Sequence, residues 1–166
     1  EFKKDQNIVH PLRIQKDILL QLEESLLLCD TGIIHESGEI HSDQKEQMRE
    51  IDVSKLIKAN VKLCYEMRNQ LLRGVLKEFG ASLNDAWQAK TKFSSKISTP
   101  KLDHIYENAI KHGAAGGKLL GAGGGGFFLF FVDPIKRSSL VDYLQNAGLS
   151  PTNFKFEPEG LQSWKV

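Results

Sequence analysis

The sequence predicts an α+β fold, a small antiparallel sheet of about four strands with helices packed on one face. Three observations carry this. Leu26–Cys29 and Phe127–Val132 are apolar runs too short for helices, and turn residues follow each of them. Apolar residues at helical spacing occupy most of the chain between those runs. Near the C-terminus, Asn153-Phe154-Lys155-Phe156 alternates with the period of a strand, so strands towards both ends flank several helices.

Taken in order, Phe2, Ile8, Val9, Leu12 and Ile14 surround a polar Lys3–Asn7 segment, which predicts a short hairpin ending at Arg13–Ile14. Leu26–Cys29 is a buried strand, with Asp30-Thr31-Gly32 as the turn behind it. Ser37–Ile51 is mostly polar, with Met48 and Ile51, and predicts an exposed helix. Ile57, Val61, Cys64, Met67, Leu71, Leu72, Val75 and Phe79 then form the buried stripe of a long helix that Gly80 terminates. Ser82-Leu83-Asn84-Asp85 has the form of a capping box for a further helix carrying Ala86, Trp87 and Phe93.

Thr99-Pro100 starts another helix, with Leu102, Ile105, Tyr106, Ala109 and Ile110 on its inner face and Gly113 at its end. Phe127–Val132 does not alternate, so it is expected to be a central strand buried on both faces. Asp133-Pro134 opens a last helix with Leu140, Val141 and Leu144, stopped at Gly148. Trp87, Phe93 and Tyr106 are assigned to the core.

At 166 residues the chain makes one domain with a real core, and 40% hydrophobic with 26% charged residues is a globular composition. The net charge of +1 gives no electrostatic footprint for nucleic acid, and no run of eighteen apolar residues can span a membrane. The opening residues, EFKKDQNIVH, lack the apolar stretch of a signal peptide, so a cytoplasmic protein is expected. Cys29 and Cys64 are accordingly expected as reduced thiols packed like small hydrophobes. The chain starts on Glu1 rather than methionine and is expected to be a piece of something longer. His35 and His41 flank Glu36 and Glu39, but the spacing is not His-Glu-x-x-His, and no metal site is expected.

The feature that composition does not explain is Gly121-Ala122-Gly123-Gly124-Gly125-Gly126, set directly before five bulky apolar residues. Gly121, Gly123 and Gly126 satisfy G-x-G-x-x-G, but a dinucleotide fingerprint needs strand, loop and then helix, and a strand follows here. A P-loop needs Gly-Lys-Ser/Thr after the glycines, where this chain has Phe127 and Phe128. What remains is a backbone surface. Successive glycines let peptide N–H groups converge on an anion, or let another chain approach without Cβ atoms in the way. The adjoining strand would hold such a loop in place; a flexible hairpin tip is the plainer alternative.

Lys118-Leu119-Leu120-Gly121-Ala122-Gly123-Gly124-Gly125-Gly126-Phe127 resembles the third signature motif of the GHMP small-molecule kinases, and Ile97-Ser98-Thr99-Pro100-Lys101-Leu102-Asp103 resembles the segment preceding it. Trp87-Gln88-Ala89-Lys90, Ile105-Tyr106, Gly113–Lys118 and Phe156-Glu157-Pro158-Glu159-Gly160 extend the likeness towards the bacterial D-glycero-D-manno-heptose 7-phosphate kinases. Glu1–Lys4 and Pro11–Ile14 fit the middle of such an enzyme, so the resemblance covers residues 1–166.

That resemblance implies the C-terminal domain of an ATP-dependent, magnesium-requiring kinase that phosphorylates the anomeric hydroxyl of a sugar phosphate. The main phosphate loop and the catalytic base would belong to the protein's own N-terminal domain, leaving no catalytic residue here and an isolated chain without activity. Gly121, Ala122, Gly123, Gly124, Gly125 and Gly126 would line the ATP phosphates, with the N–H groups of Gly123 to Gly126 as donors. Lys118 either faces those phosphates or is a solvated lysine on the loop's approach. Ser98 would touch the sugar, with Thr99 better explained as a helix cap. Lys92, with Lys90 and Lys96, either holds the substrate's phosphate or is a solvated helix terminus. A kinase of the fucose, galactose or mevalonate type, and a non-catalytic ligand-binding module, remain as alternatives. An apolar face where the N-terminal domain would dock leaves room for homo-oligomers.

Overall fold

The computed structural model describes residues 2–34 and 53–164; the helix expected over 37–51 and the His35, Glu36, Glu39 and His41 group lie outside the described residues. The N-terminal hairpin is there but minimal. β1 (Phe2–Lys3) pairs antiparallel with β2 (Gln6–Asn7). A helix the periodicity did not signal, α1 (Lys16–Ser25), comes next and brings Ile18 and Leu22 to the core. It leads straight into β3 (Leu26–Asp30).

After α2 (Val53–Arg73) the chain turns at Gly74, whose φ of +70° ends the helix, and starts α3 (Leu76–Thr91) two residues later. This corrects two expectations. Gly80 lies inside α3 rather than ending α2, and Ser82 is no cap; it is buried mid-helix and accepts from Gln70 Nε2 at 3.0 Å. The apolar stripe of α2 reaches the core only from Met67 onward, and Ile57, Val61, Cys64 and Leu72 are exposed. Cys64 therefore is not the packed thiol expected of it, whereas Cys29 is.

α4 (Pro100–Lys111) begins as expected. Thr99 is extended at φ −128° and its hydroxyl accepts from Leu102 N at 3.3 Å. Gly113, at φ +108°, ends it. β4 (Ala114–Leu119) and β5 (Phe127–Val132) come next, then a 3₁₀ turn at Pro134–Lys136, α5 (Arg137–Asn146) and β6 (Ser150–Thr152). The final strand thus precedes Asn153–Phe156, which is irregular.

The sheet runs β4-β5-β3-β6, antiparallel throughout, with Leu26 opposite Phe131 and Asp30 opposite Phe127. Phe128, Phe130 and Val132 alternate into the large cluster formed with Trp87, Leu102, Ile105, Tyr106, Leu140 and Leu144, so α4 and α5 cover that face. Phe131 points the other way, into a smaller cluster with Leu22, Leu76 and Leu83. β5 is central, as its unbroken apolar sequence requires. Phe127, at its first position, is nevertheless exposed.

β4 leads the chain into the glycine run, and its own packing already depends on glycine. Its sequence, AAGGKL, has no β-branched residue, yet it lies against α3 because its glycines permit it. A Cβ on Gly116 would fall 2.2 Å from the Gly80 carbonyl oxygen, and one on Gly80 would fall 2.4 Å from the Phe131 ring. Helix and strand backbones are in direct contact.

Candidate functional site

Residues 120–126 connect β4 to β5, so the order around the glycines is strand, loop, strand rather than helix, loop, strand. The connection is closed at its base, where Leu120 N donates to the Phe127 carbonyl at 2.8 Å. Gly121, Gly123, Gly124 and Gly126 have φ of +72°, +128°, +75° and +88°. No run of side-chain-bearing residues holds that path cheaply, which accounts for the composition.

Three segments distant in sequence hold the loop. Gly124 N donates to the Ile97 carbonyl at 2.8 Å, and Gly126 N to the Ile33 carbonyl at 3.0 Å. The Gly126 carbonyl accepts twice from Thr31, from its N–H at 2.9 Å and its hydroxyl at 2.7 Å. Thr31 is buried, and Asp30 shapes its turn by accepting from Gly32 N at 2.9 Å. The Asp30-Thr31-Gly32 segment is thus a turn, as expected, and also a clamp on the loop.

The third tie comes from α3. Lys90 Nζ donates to the Leu119 carbonyl at 2.9 Å and to the Gly121 carbonyl at 2.7 Å. Burial, with the nearby charge of Lys118, holds its pKa down to about 8. Lys90 is therefore not a solvated terminus; two of its three donors are committed to the loop.

Close packing completes the loop. A Cβ on Gly123 would meet Ile97 Cα at 2.9 Å, and one on Gly125 would meet the Ile33 carbonyl oxygen at 2.3 Å. These two buried glycines face inward, while Gly121 is exposed and Ala122 half-buried. A rigid backbone surface, rather than a loose tip, is what these contacts build.

Of the four donors expected from Gly123 to Gly126, two are spent on protein carbonyls. The N–H groups of Gly121, Ala122, Gly123 and Gly125 have no protein acceptor among the described residues, and of these residues Gly121 and Ala122 lie on the more exposed part of the loop. Lys118 is half-buried on β4 opposite Leu129, one strand position before Leu119, and close enough to Lys90 to depress its pKa. The structure therefore brings together Lys118, Lys90 and Gly121–Gly126.

Neither Ser98 nor Lys92 is hydrogen-bonded to the loop among the described residues. Ser98 follows Ile97, donates to Asp103 Oδ1 at 2.5 Å and lines an open cavity of about 370 Å³ with Trp87, Gln88, Ser94 and Glu107. Lys92, the C-cap of α3, is exposed and is not among that cavity's lining residues. Trp87 and Tyr106 are core, the Tyr106 hydroxyl donating to Asn84 Oδ1 at 2.9 Å, and Phe93 packs at the edge of the same cluster. Among the described residues no three His, Cys, Asp or Glu side chains come together to hold a metal, and no helix is long and apolar enough to cross a membrane.

Sequence reasoning read Thr31 as part of a turn and Lys90 as a phosphate ligand or a helix terminus, and missed that both hold the loop, together with the carbonyls of Ile33 and Ile97. Backbone acceptors carry no sequence signal. Thr31 and Lys90 lie 95 and 31 residues from the loop atoms they bind.

Comparison with known proteins agrees with this geometry. Residues 67–149 match the family described as GHMP kinases C terminal. The chain is 33% identical over 159 residues to D-glycero-alpha-D-manno-heptose 7-phosphate kinase of Campylobacter jejuni, covering 96% of this chain and 47% of that protein. A D-glycero-D-manno-heptose 1-phosphate kinase from Bacteroides thetaiotaomicron superposes with a TM-score of 0.62 at 25% identity, covering 96% of this chain and 41% of that one. The L. major mevalonate kinase bound to R-mevalonate shares the fold, with a TM-score of 0.66 at 22% identity over 73% of this chain and 37% of its own. The chain thus spans about half the length of the heptose phosphate kinase it matches.

Proposed function

The chain belongs to the GHMP kinases' C-terminal family, and on that premise we propose that it is the C-terminal half of an ATP-dependent sugar kinase. The reaction would phosphorylate D-glycero-D-manno-heptose 7-phosphate at its anomeric hydroxyl. The observation that carries this is the glycine loop, a backbone surface tied down from three directions, with the N–H groups of Gly121 and Ala122 unspent on its more exposed part. The 33% identity to a heptose 7-phosphate kinase supports the choice of acceptor.

Phosphoryl transfer asks a protein for positioning and charge stabilisation more than for covalent chemistry. In this reading Gly121 and Ala122 donate to phosphate oxygens of ATP, and the Lys118 ammonium adds positive charge beside them. Donors fixed before the anion arrives need no reordering during the reaction, which is why a rigid loop serves better than a mobile one. Gly123 and Gly125 act indirectly, by letting the loop lie flat on Ile97 and Ile33. Magnesium would enter with ATP, and no residue of this chain is assigned to it. The catalytic base and the main phosphate loop would come from an N-terminal domain, so this chain alone is expected to show no turnover. Ser98 is retained as a sugar contact, in the polar cavity it shares with Asp103 and Glu107; Lys92 is retained for the substrate's phosphate.

The test is a kinase assay on the longer protein containing this chain, against heptose 7-phosphate, heptose 1-phosphate, fucose, galactose and mevalonate, with the isolated chain run in parallel. Heptose 1-phosphate is included because the Bacteroides neighbour bears that name. Turnover confined to heptose 7-phosphate and to the longer protein is the expected result. Preference for another acceptor would remove the substrate assignment, and turnover by the isolated chain would remove the two-domain reading.

A further inference from the structure

We propose that Lys90 is a positioning residue for the glycine loop, clamping the carbonyls on either side of the residue where β4 gives way to it. The inference rests on the loop being the functional surface of the proposed kinase, and not on which sugar accepts the phosphate.

A lysine in the last turn of a helix ordinarily offers its charge to that helix's own carbonyls or to water. Lys90, in the last turn of α3, instead spans 29 and 31 residues of sequence to reach the Leu119 and Gly121 carbonyls. The two acceptors bracket Leu120, immediately before Gly121 turns the chain at φ +72°. Beside this clamp, the base of the loop is closed by the bond from Leu120 N to the Phe127 carbonyl.

The reach is fixed by packing. α3 and β4 touch backbone to backbone at Gly80 and Gly116, so the Lys90 stem starts from a helix that cannot slide away from the strand. Lys90 is half-buried, and among the described residues no carboxylate is hydrogen-bonded to its ammonium. The charged group acting on it is Lys118 from β4, and Gly121–Gly126 adds no titratable side chain. Withdrawing a cation from water is costly, and here carbonyl dipoles offset that cost. Such an arrangement serves a purpose that a surface lysine does not. It fixes the Gly121 and Ala122 donors and leaves excess positive charge beside them for an anion.

The experiment is amide hydrogen exchange over residues 119–127 in the longer protein without nucleotide, comparing wild type, Lys90→Met, Lys90→Arg and the exposed control Lys111→Met. The reporters are Leu120, Gly124 and Gly126, whose N–H groups are hydrogen-bonded. Lys90→Met is expected to speed their exchange by about tenfold or more, with α4 and β5 unchanged, and Lys90→Arg to restore part of the protection. In the kinase assay the same variant should raise KM for ATP while leaving KM for the sugar in place. Unchanged loop exchange in Lys90→Met overturns the proposal, and so does a rise spread over the whole domain. If Lys90→Met does not fold, wild-type exchange from pH 7 to 9.5 decides. Corrected for intrinsic rates, loop protection should rise relative to α4 as the pH passes about 8, because opening the loop returns Lys90 to its ordinary, higher pKa and takes up a proton, and a constant ratio overturns the proposal. A longer protein inactive on every acceptor would sink the kinase reading and leave the exchange result standing.

Discussion

Gly125→Ala isolates the steric reason for one glycine in the loop. The four loop glycines with positive φ are Gly121, Gly123, Gly124 and Gly126, so an alanine at 125 meets no left-handed backbone penalty. What it meets is the Ile33 carbonyl, with oxygen 2.3 Å and carbon 3.0 Å from the new Cβ. Backbone atoms cannot swing aside as a side-chain end can. The loop must therefore lift off Ile33 by most of an ångström, and the neighbouring bond from Gly126 N to the same carbonyl, at 3.0 Å, is lost or stretched. Overpacking costs about 1–3 kcal/mol and the hydrogen bond about 1 kcal/mol, so the expected destabilisation is about 2–4 kcal/mol. For a domain of this size that is a fall in Tm of about 4–15 °C. Gly121→Ala is the matched control. Its Cβ meets nothing within 4 Å, so it carries only the φ +72° penalty, about 1–2 kcal/mol. Thermal unfolding followed by circular dichroism compares the two. If Gly125→Ala proved as mild as Gly121→Ala, the close packing of the loop on Ile33 would be refuted.

Thr99→Ala removes the cap of α4 and should cost about 1 kcal/mol in urea unfolding; Thr99→Ser should restore most of it. Cys29 is fully buried, and burial, followed by the charge of Asp30, raises its pKa to about 11. Titration of the native protein at pH 8 with a thiol reagent should therefore count Cys64 alone, and both thiols after denaturation. Lys90 titrates near 8 in the folded chain, below the ordinary lysine value of 10.5. Between those pH values the unfolded state binds the extra proton, so this group makes stability rise with pH across that window and contributes no slope below it. Urea midpoints at pH 7.5 and 9.5 should show wild type gaining on Lys90→Met, and parallel behaviour of the two would contradict the buried ammonium.

Local signals were readable wherever the cause was local. Thr99-Pro100 gave the start of α4 because cap and first-turn proline act within one turn. Leu26–Cys29 and Phe127–Val132 gave the two inner strands because burial on both faces demands unbroken apolar sequence. The family likeness was legible in the glycine run, since only glycine tolerates those φ values in succession.

Other features had no local cause. The α2–α3 break fell at Gly74 rather than Gly80 because both helices face one core, so the apolar period runs on across the break. The identity of Gly80 answers to the Phe131 ring, not to any need to end a helix. β4 was missed because Ala114-Ala115-Gly116-Gly117 lacks strand propensity; pairing with β5 and the pressure of α3 make it a strand. The sequence alone therefore determined that a glycine loop sits before a central strand, because backbone conformation selects residue type directly. Only the tertiary structure decided which carbonyls, threonine and lysine hold that loop, because hydrogen bonds between distant segments exist only once packing has brought those segments together.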